Sequence, residues 1–236
     1  MTRAYRVVLF DLFGTVVHFV PPPGPARTGY EWLRAPLAAA RPGLGFDTFR
    51  RALLEVSTAI AAERDAEYRE VPSRERFRRS LACAGAGGDD GAAETLSLAH
   101  MAHLAAQTEM PAAHADLLRD LGGRYRLGLV SNFDHAPTAQ AILARHGVYP
   151  CFEVTLISDD FGLRKPHPAI FREALRRLDA APEEALYVGD TPADDIVGAR
   201  AAGLDVAWVN RRGDEPPDPA PTYSLRELTQ LRDILG

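Results

Sequence analysis

The sequence predicts an α/β protein, a doubly wound parallel sheet with an inserted helical cap domain. The first observation is the apolar run Val7–Phe10, which is typical of a strand buried on both faces. The second is an alternation of strand and helix patterns from residue 124 onward, which favours a parallel sheet covered by helices. The third is purely helical periodicity over about 30–112. We therefore expect a Rossmann-like core formed by residues 1–17 and 113–236, and a helical cap formed by residues 18–112.

Each later element of the core has its own sequence signal. Apolar runs predict strands over 124–132, 152–158, 185–190 and 205–210, with helices over 139–147, 168–179 and 195–203 between them. Pro168 suits a first helical turn, and Gly147 and Gly203 suit helix ends. Ser224 followed by Glu227 is a capping-box pattern, which predicts a last helix over 224–235.

The cap is predicted from four segments with apolar residues at three- and four-residue spacing. The helices are expected over 31–40, 46–68, 73–85 and 92–107. A Pro-rich segment over 20–29 precedes them and can continue neither a strand nor a helix.

Composition limits the classes of function. With 236 residues, 46% of them hydrophobic, the chain can bury a full core, and its net charge of −5 argues against nucleic acid or an anionic membrane as a partner. No apolar run reaches bilayer length, and Asp11 interrupts the apolar run near the start, so we expect neither a membrane span nor a signal peptide. Cys83 and Cys151 lack metal-ligand spacing and suit a reducing cytoplasm. We expect a cytoplasmic monomer or homodimer acting on a small molecule.

Polar side chains cluster where predicted strands end. They are Asp11, the pair Ser131 and Asn132, Lys165, and the acids Asp190, Asp194 and Asp195. Because the carboxyl ends of parallel strands lie along one edge of the sheet, these distant residues should meet there. Lys165 is the only lysine among 27 basic residues, which indicates a position that needs a compact ammonium group.

Four motifs in this chain resemble those of the haloacid dehalogenase (HAD) superfamily. They are DLFGT, VSN, GLRKPHP and YVGDTPADD, and they occur in the superfamily's order on the expected elements. The predicted helical insertion is similar to the superfamily's type 1 cap. The resemblance therefore implies a hydrolase that uses an aspartate nucleophile.

By this resemblance Asp11 is the nucleophile. Ser131 and Asn132 would donate hydrogen bonds to the anionic group being transferred, beside Gly14 and Thr15. Lys165 would neutralise charge on Asp11 and on the transferred group.

The resemblance also implies Mg²⁺ as the cofactor. Its ligands would be Asp11, Asp190, Asp195 and the backbone carbonyl of Phe13, since Mg²⁺ prefers oxygen ligands. The spacing GD-x-x-x-x-D selects Asp195 as the second acid of the motif, whereas Asp194 suits a helix N-cap.

Phe13 departs from the pattern of the superfamily's phosphatases. These usually carry DxDGT, in which the second Asp is the general acid–base, and a phenyl ring cannot transfer a proton. A Mg²⁺-dependent phosphatase whose general acid is substituted or absent is favoured by the paired acids of GDTPADD, which require a cation near a phosphate. His18, His135 and His167 are the candidate surrogates by proximity to the motifs.

Two other interpretations stay open. A 2-haloacid dehalogenase needs no leaving-group proton and carries an aromatic residue at the position of Phe13, and Arg27 or Arg34 could bind its substrate carboxylate. That branch needs no metal, however, and typically has Ser and Asn in place of the last acidic pattern. A binding protein that has lost its chemistry is disfavoured by the intact Asp11, Lys165 and Asp190. A phosphonatase, a branch of the superfamily that forms a Schiff base with a lysine of the cap, is excluded because the predicted cap contains no lysine.

Overall fold

The computed structural model describes residues 5–20 and 29–236. They form two compact units, one of the described residues up to Phe19 together with Glu109–Gly236, and one of those between Val20 and Thr108. The strands are β1 Val7–Phe10, β2 His18–Phe19, β3 Thr108–Glu109, β4 Arg126–Ser131, β5 Val154–Ile157, β6 Ala185–Gly189, β7 Asp205–Val209 and β8 Tyr223–Leu225.

The core unit contains a six-stranded, wholly parallel sheet in the order β5-β4-β1-β6-β7-β8. This confirms the predicted fold class. β1 lies at the centre, with Phe10 opposite Leu129 of β4 and Val188 of β6. Its four side chains are all at most 1% exposed, as expected of a strand covered on both faces. The chain leaves β1 towards β4 and leaves β6 towards β7, so the carboxyl ends of β1 and β6 flank the topological switch point, where such sheets bind ligands.

Helices cover this sheet. They are α5 Ala112–Gly122, α6 Ala136–Arg145, α7 Ser158–Phe161, α8 Pro168–Arg177, α9 Val197–Ala201 and α10 Leu231–Leu235, with α1 to α4 belonging to the other unit. α8 and α9 pack apolar side chains, among them Phe171 and Ala199, onto Leu9, Tyr187 and Trp208 of the sheet. A π-helical turn, Pro192–Ile196, leads into α9.

The second unit is helical. Its helices are α1 Arg34–Ala40, α2 Phe46–Glu67, α3 Ser73–Cys83 and α4 Asp90–Ala106. Phe49, Leu53 and Ile60 of α2 are buried, as their helical spacing predicts, and the first two pack with Phe77 and Leu96. The predicted division at residues 17/18 and 112/113 stays a prediction. Most of the predicted Pro-rich segment, and Arg27 within it, lie outside the described residues.

Several elements differ from the predictions, since the short strands β2 and β3 and the short helix α7 were not predicted, and β8 and α5 differ as follows. Ser224 does not begin a helix but lies in β8, opposite Trp208 of β7, and the capping box is formed instead by Glu227 and Gln230 ahead of a 3-10 turn. The pairing with β7 outweighs the local helix signal. α5 has no counterpart among the predicted helices. In the described part of the chain, no helix has both the length and the apolar character needed to cross a membrane.

Candidate active site

Asp11 is the first residue after the central strand and lies at the switch point of the sheet. Its backbone N–H donates to the Val188 carbonyl at 2.8 Å, so the hydrogen bonding between β1 and β6 continues past the end of the strand. Only 5% of the residue is exposed. One carboxylate oxygen, Oδ1, accepts a hydrogen bond from Lys165 Nζ at 2.6 Å.

Lys165 is the centre of a buried polar network. Its Nζ donates to Asp11 Oδ1 at 2.6 Å, to Asp195 Oδ1 at 2.7 Å and to the Tyr187 hydroxyl at 2.9 Å. These three bonds use all three donors of the ammonium group. Burial lowers the pKa of Lys165, but Asp11 and Asp195 raise it by more, so the group is held in its charged form. The predicted meeting of Lys165 with Asp11 is therefore present in the structure.

Asp195 is saturated with hydrogen bonds. Its Oδ1 accepts from Lys165 and from the Tyr187 hydroxyl at 2.9 Å, and its Oδ2 accepts from the backbone N–H groups of Asp190 and Thr191 at 3.0 and 2.9 Å. A carboxylate offers about four acceptor positions, and here all four are used. Asp195 therefore ties the ammonium group to the loop that follows β6.

Asp190 follows β6 and faces the loop that follows β1. Gly14 in that loop has a φ of +88°, and a Cβ on it would lie 2.6 Å from Cγ of Asp190. Glycine is required here both by the backbone conformation and by the close approach of a carboxylate. Carboxylate oxygens of Asp11, Asp190 and Asp195 lie within 4.8 Å of one another, which is a spacing that a single cation can bridge.

Negative charge exceeds positive charge in this cluster. Asp11 and Asp195 bond to the ammonium group of Lys165, which also attracts Asp190 and Asp194, while Arg211 attracts Asp190 and Arg164 attracts Asp194. Burial, together with the nearby charges of Asp195 and Asp190, raises the pKa of Asp11 to about 7 although Lys165 lowers it. Burial likewise raises the pKa values of Asp190 and Asp194. A bound cation would remove this repulsion and keep the carboxylates ionised.

A cavity of about 90 Å³ lies at the centre of these groups. Its lining is formed by Asp11, Phe13, Asn132, Lys165, Thr191, Asp194 and Asp195. Asp194 is therefore a wall of the cavity, and its Oδ2 accepts a hydrogen bond from Asn132 Nδ2 at 3.1 Å. The helix N-cap role that the sequence suggested for Asp194 is wrong, because Asp194 lies inside the π-helical turn Pro192–Ile196 and the N-cap positions are held by Thr191 and Ile196.

Asn132 holds the segment that carries Lys165. Its Oδ1 accepts the Lys165 N–H at 2.7 Å, and its Nδ2 donates to the Lys165 carbonyl at 2.9 Å as well as to Asp194. Both amide hydrogens are thus engaged within the chain. The predicted donation from Asn132 to a substrate stays a prediction.

Two motif hydroxyls are buried without a hydrogen-bond partner among the described residues. They belong to Thr15, in the loop after Asp11, and to Ser131, the last residue of β4, and both residues are 0% exposed. An unsatisfied buried hydroxyl costs about 1–3 kcal/mol, so such groups usually mark a strained or ligand-dependent site. Neither residue is among those that line the cavity, so their predicted contact with a transferred anion stays a prediction.

The three candidate histidines are engaged elsewhere. His18 contacts Arg211 at 3.3 Å, Nδ1 of His135 pairs with the Thr138 hydroxyl at 2.9 Å, and Nδ1 of His167 accepts the Ala169 N–H at 3.2 Å. None of the three lines the cavity. The geometry therefore supports none of them as a replacement for a general acid at Phe13.

Comparison with known proteins shows what this chain is similar to. A family model described as a haloacid dehalogenase-like hydrolase matches residues 5–203. The phosphoserine phosphatase of Thermus thermophilus is 37% identical over 168 residues, an alignment that covers 69% of this chain and 64% of that enzyme, and thus less than two thirds of its length.

Two solved structures resemble the whole chain. A 2-haloacid dehalogenase from Pseudomonas syringae pv. tomato has a TM-score of 0.73 at 26% identity and covers 98% of each chain. The HAD-hydrolase YfnB from Bacillus subtilis, solved bound to magnesium, has a TM-score of 0.64 at 25% identity and covers 99% of each chain. Both likenesses include the inserted helical segment, because almost all of each chain is matched.

Proposed function

Since the chain belongs to the family of haloacid dehalogenase-like hydrolases, we propose that it is a Mg²⁺-dependent phosphatase of small phosphorylated metabolites with Asp11 as its nucleophile. The observation that carries this proposal is the excess of carboxylates around Asp11, because Asp194 and Asp195 line the same small cavity and Asp190 lies close to Asp11 and Asp195. The charge of these four acids exceeds that of Lys165, Arg211 and Arg164 around them, so a further cation would stabilise the cluster, and a phosphoryl substrate would add further negative charge. The similarity to a phosphoserine phosphatase and to a structure bound to magnesium also supports the proposal.

The residues present suit a hard divalent cation. Asp11 Oδ2 and the carboxylate of Asp190 have acceptor capacity to spare, and the backbone carbonyl of Phe13 would be a third oxygen ligand. Asp195 has none to spare, so its proposed role is to position Lys165 and the loop after β6. When bound, Mg²⁺ supplies positive charge that neutralises the phosphoryl oxygens.

The first chemical step is phosphoryl transfer to the enzyme. A carboxylate oxygen of Asp11 attacks phosphorus, and the bond from phosphorus to the leaving oxygen breaks, with its electron pair staying on that oxygen. Lys165 remains within hydrogen-bond distance of Asp11 and offsets the charge of the resulting aspartyl-phosphate. The buried hydroxyls of Thr15 and Ser131 would donate to the phosphoryl oxygens, which would satisfy both of them.

The second step regenerates the enzyme. Water attacks the phosphorus of the aspartyl-phosphate, the bond between phosphorus and Asp11 breaks, and inorganic phosphate and a proton are released. Asp11 recovers its carboxylate. The chain of bonds from Asn132 to Lys165 and from Lys165 to Asp195 holds the same geometry through both steps.

A 2-haloacid dehalogenase is the second candidate. It is favoured by Phe13, because a halide leaves without a proton, and by the similarity to a solved dehalogenase. Of the two arginines predicted to bind the substrate carboxylate, Arg27 lies outside the described residues. Arg34 has less support, because it is paired with Glu31 at 3.0 Å and lies over the Phe46 ring. Apart from the nucleophile Asp11, whose carboxylate would displace the halide, and Asp195, which positions Lys165, the converging acids Asp190 and Asp194 have no role in halide displacement.

The decisive experiment compares two reactions. Phosphate release from phenyl phosphate and halide release from 2-chloropropionate are each measured with Mg²⁺ and with a chelator. We expect phosphate release that the chelator abolishes, and aryl phosphates should react faster than alkyl phosphates by about 10²-fold or more, because positioned acid–base help is worth about 10²–10⁴. Halide release that resists the chelator would overturn the proposal.

Asp11→Asn provides the matched test of the nucleophile. The substitution is nearly isosteric, so the variant should fold and should lose turnover of either substrate. Full activity of Asp11→Asn would show that Asp11 is not the nucleophile. Absence of both reactions in the wild-type protein, with every substrate tried, would favour the third interpretation, a binding protein.

A further inference from the structure

Three phenylalanines of the core unit form one continuous aromatic surface beside the cavity. The Phe13 ring stacks on Phe19, with a centroid distance of 5.0 Å and an interplanar angle of 9°, and contacts the Phe133 ring at 4.7 Å and 42°. Phe13 also lines the cavity that contains Asp11. Phe13 and Phe133 are half-buried, and Phe19 is 47% exposed. Contiguous apolar rings that stay accessible beside a reaction site indicate a surface that contacts a ligand.

The backbone holds two of these rings in place. The Phe133 N–H donates to the Ser158 hydroxyl at 2.9 Å, and its carbonyl accepts the Asp159 N–H at 3.3 Å. Phe13 lies in a tight turn in which the Gly14 N–H donates to the Val17 carbonyl at 2.8 Å. A surface that is fixed before binding loses little conformational entropy when a ligand arrives.

We propose that the surface formed by Phe13, Phe19 and Phe133 is a leaving-group subsite that selects aryl phosphates. This inference rests on the proposed phosphatase function and names its substrate class. An aromatic leaving group can stack against the rings, and aromatic pairs of this geometry contribute beyond the area they bury. The surface donates no proton, so it suits a leaving group that departs as an anion.

The reaction at this subsite balances without a general acid. An oxygen of Asp11 forms a bond to phosphorus, and the bond from phosphorus to the aryl oxygen breaks, with the electron pair remaining on that oxygen. The ring delocalises the charge of the phenolate, which takes a proton from water after it has left. An alkoxide has no such delocalisation, so the position of Phe13 and the ring surface favour the same substrates.

Competitive inhibition by two phosphonates that cannot be hydrolysed tests the subsite. Phenylphosphonate and methylphosphonate share the phosphonate group and differ in the ring, and each is titrated against turnover of 4-nitrophenyl phosphate in the presence of Mg²⁺. In the wild-type protein, phenylphosphonate should bind about twofold to tenfold more tightly than methylphosphonate. In Phe133→Leu, which keeps an apolar side chain, this ratio should fall towards one while inhibition by methylphosphonate is unchanged.

Tyr149→Leu is the matched control, because Tyr149 is an exposed aromatic residue of the same unit that makes no contact with the three rings. Its ratio should equal that of the wild-type protein. If Phe133→Leu does not fold, Phe19→Leu replaces it, since Phe19 is largely exposed.

The outcomes separate the two proposals. Equal inhibition by both phosphonates in the wild-type protein, or a ratio that the ring variants leave unchanged, overturns the subsite while phosphate release persists. Halide release without any phosphate release overturns the proposed function itself.

Discussion

Replacing Lys165 by Met should destabilise the core unit, because the ammonium group is the shared partner of two buried carboxylates. The residue is 2% exposed, and its Nζ bonds to Asp11, Asp195 and Tyr187 at 2.6–2.9 Å. Removing one partner of a buried ion pair typically costs about 3–5 kcal/mol. Asp11 can escape part of that cost by taking up a proton, since burial already raises its pKa to about 7. We therefore expect a loss of about 3 kcal/mol in the free energy of unfolding at pH 7.

The measurement uses urea unfolding followed by tryptophan fluorescence. Trp208 is buried in the core unit and Trp32 belongs to the other unit, so a Trp32→Phe background makes the signal report the core. Tyr187→Phe is a milder change for comparison. It should lower the free energy of unfolding by about 1 kcal/mol, because it removes one hydroxyl from the network.

Lys165→Arg tests whether charge alone is sufficient. The three acceptors surround a compact ammonium group, and a planar guanidinium group cannot donate to them from the same point. The Arg variant should therefore lose stability and activity as the Met variant does. An unfolding free energy for Lys165→Met within about 1 kcal/mol of the parent would refute the reasoning, since the pair would then contribute no more than a surface ion pair.

Three further changes have definite expectations. Gly14→Ala should abolish activity and lower the melting temperature, because the added Cβ collides with Asp190 and the φ of +88° disfavours alanine. An activity assay and a thermal melt followed by circular dichroism measure the two effects. Arg211→Met should lower kcat while leaving the fold intact, since this guanidinium donates to the Gly14 carbonyl and so holds the loop after Asp11; an unchanged kcat would contradict that role. Hydrogen bonds from Arg78 and from Arg79 lower the pKa of Glu75 from 4.5 to about 2. The ionised Glu75 should therefore contribute its full stabilisation above pH 4.5 and lose it as the pH falls towards 2. Glu75→Gln should remove that part of the acid dependence in a pH series of melting temperatures.

Sequence patterns predicted the sheet well where the signal is local and continuous. The runs that form β1, β6 and, after Asp205, β7 are mainly apolar, as expected of strands that are buried on both faces of a parallel sheet. β8 was not predictable in the same way, because its three residues carry a helix-capping pattern and become a strand only by pairing with β7. α5 was missed although its signal is present in the sequence, since Leu117, Leu118 and Leu121 have helical spacing and are buried.

The sequence predicts which residues meet at the candidate site better than it predicts the hydrogen bonds between them. Parallel pairing alone brings the residues after β1, β4 and β6 to one edge, so Asp11, Asn132 and Asp190 could be grouped from the sequence. Tyr187 could not, because within an apolar strand it resembles any other core residue. Only the folded chain shows that its hydroxyl contacts Lys165 and Asp195.

The roles of the two adjacent acids depend on the turn that carries them. In the π-helical turn Pro192–Ile196 the Val197 N–H donates to the Pro192 carbonyl, five residues back, so the turn contains one residue more than an α-helical turn would. Asp195 then lies under the loop after β6, 1% exposed, with Lys165 on one oxygen and two backbone N–H groups on the other. Asp194 faces the cavity and Asn132 instead. Spacing in the sequence identifies both acids, whereas only the folded turn shows that Asp195 holds the ammonium group and Asp194 lines the cavity.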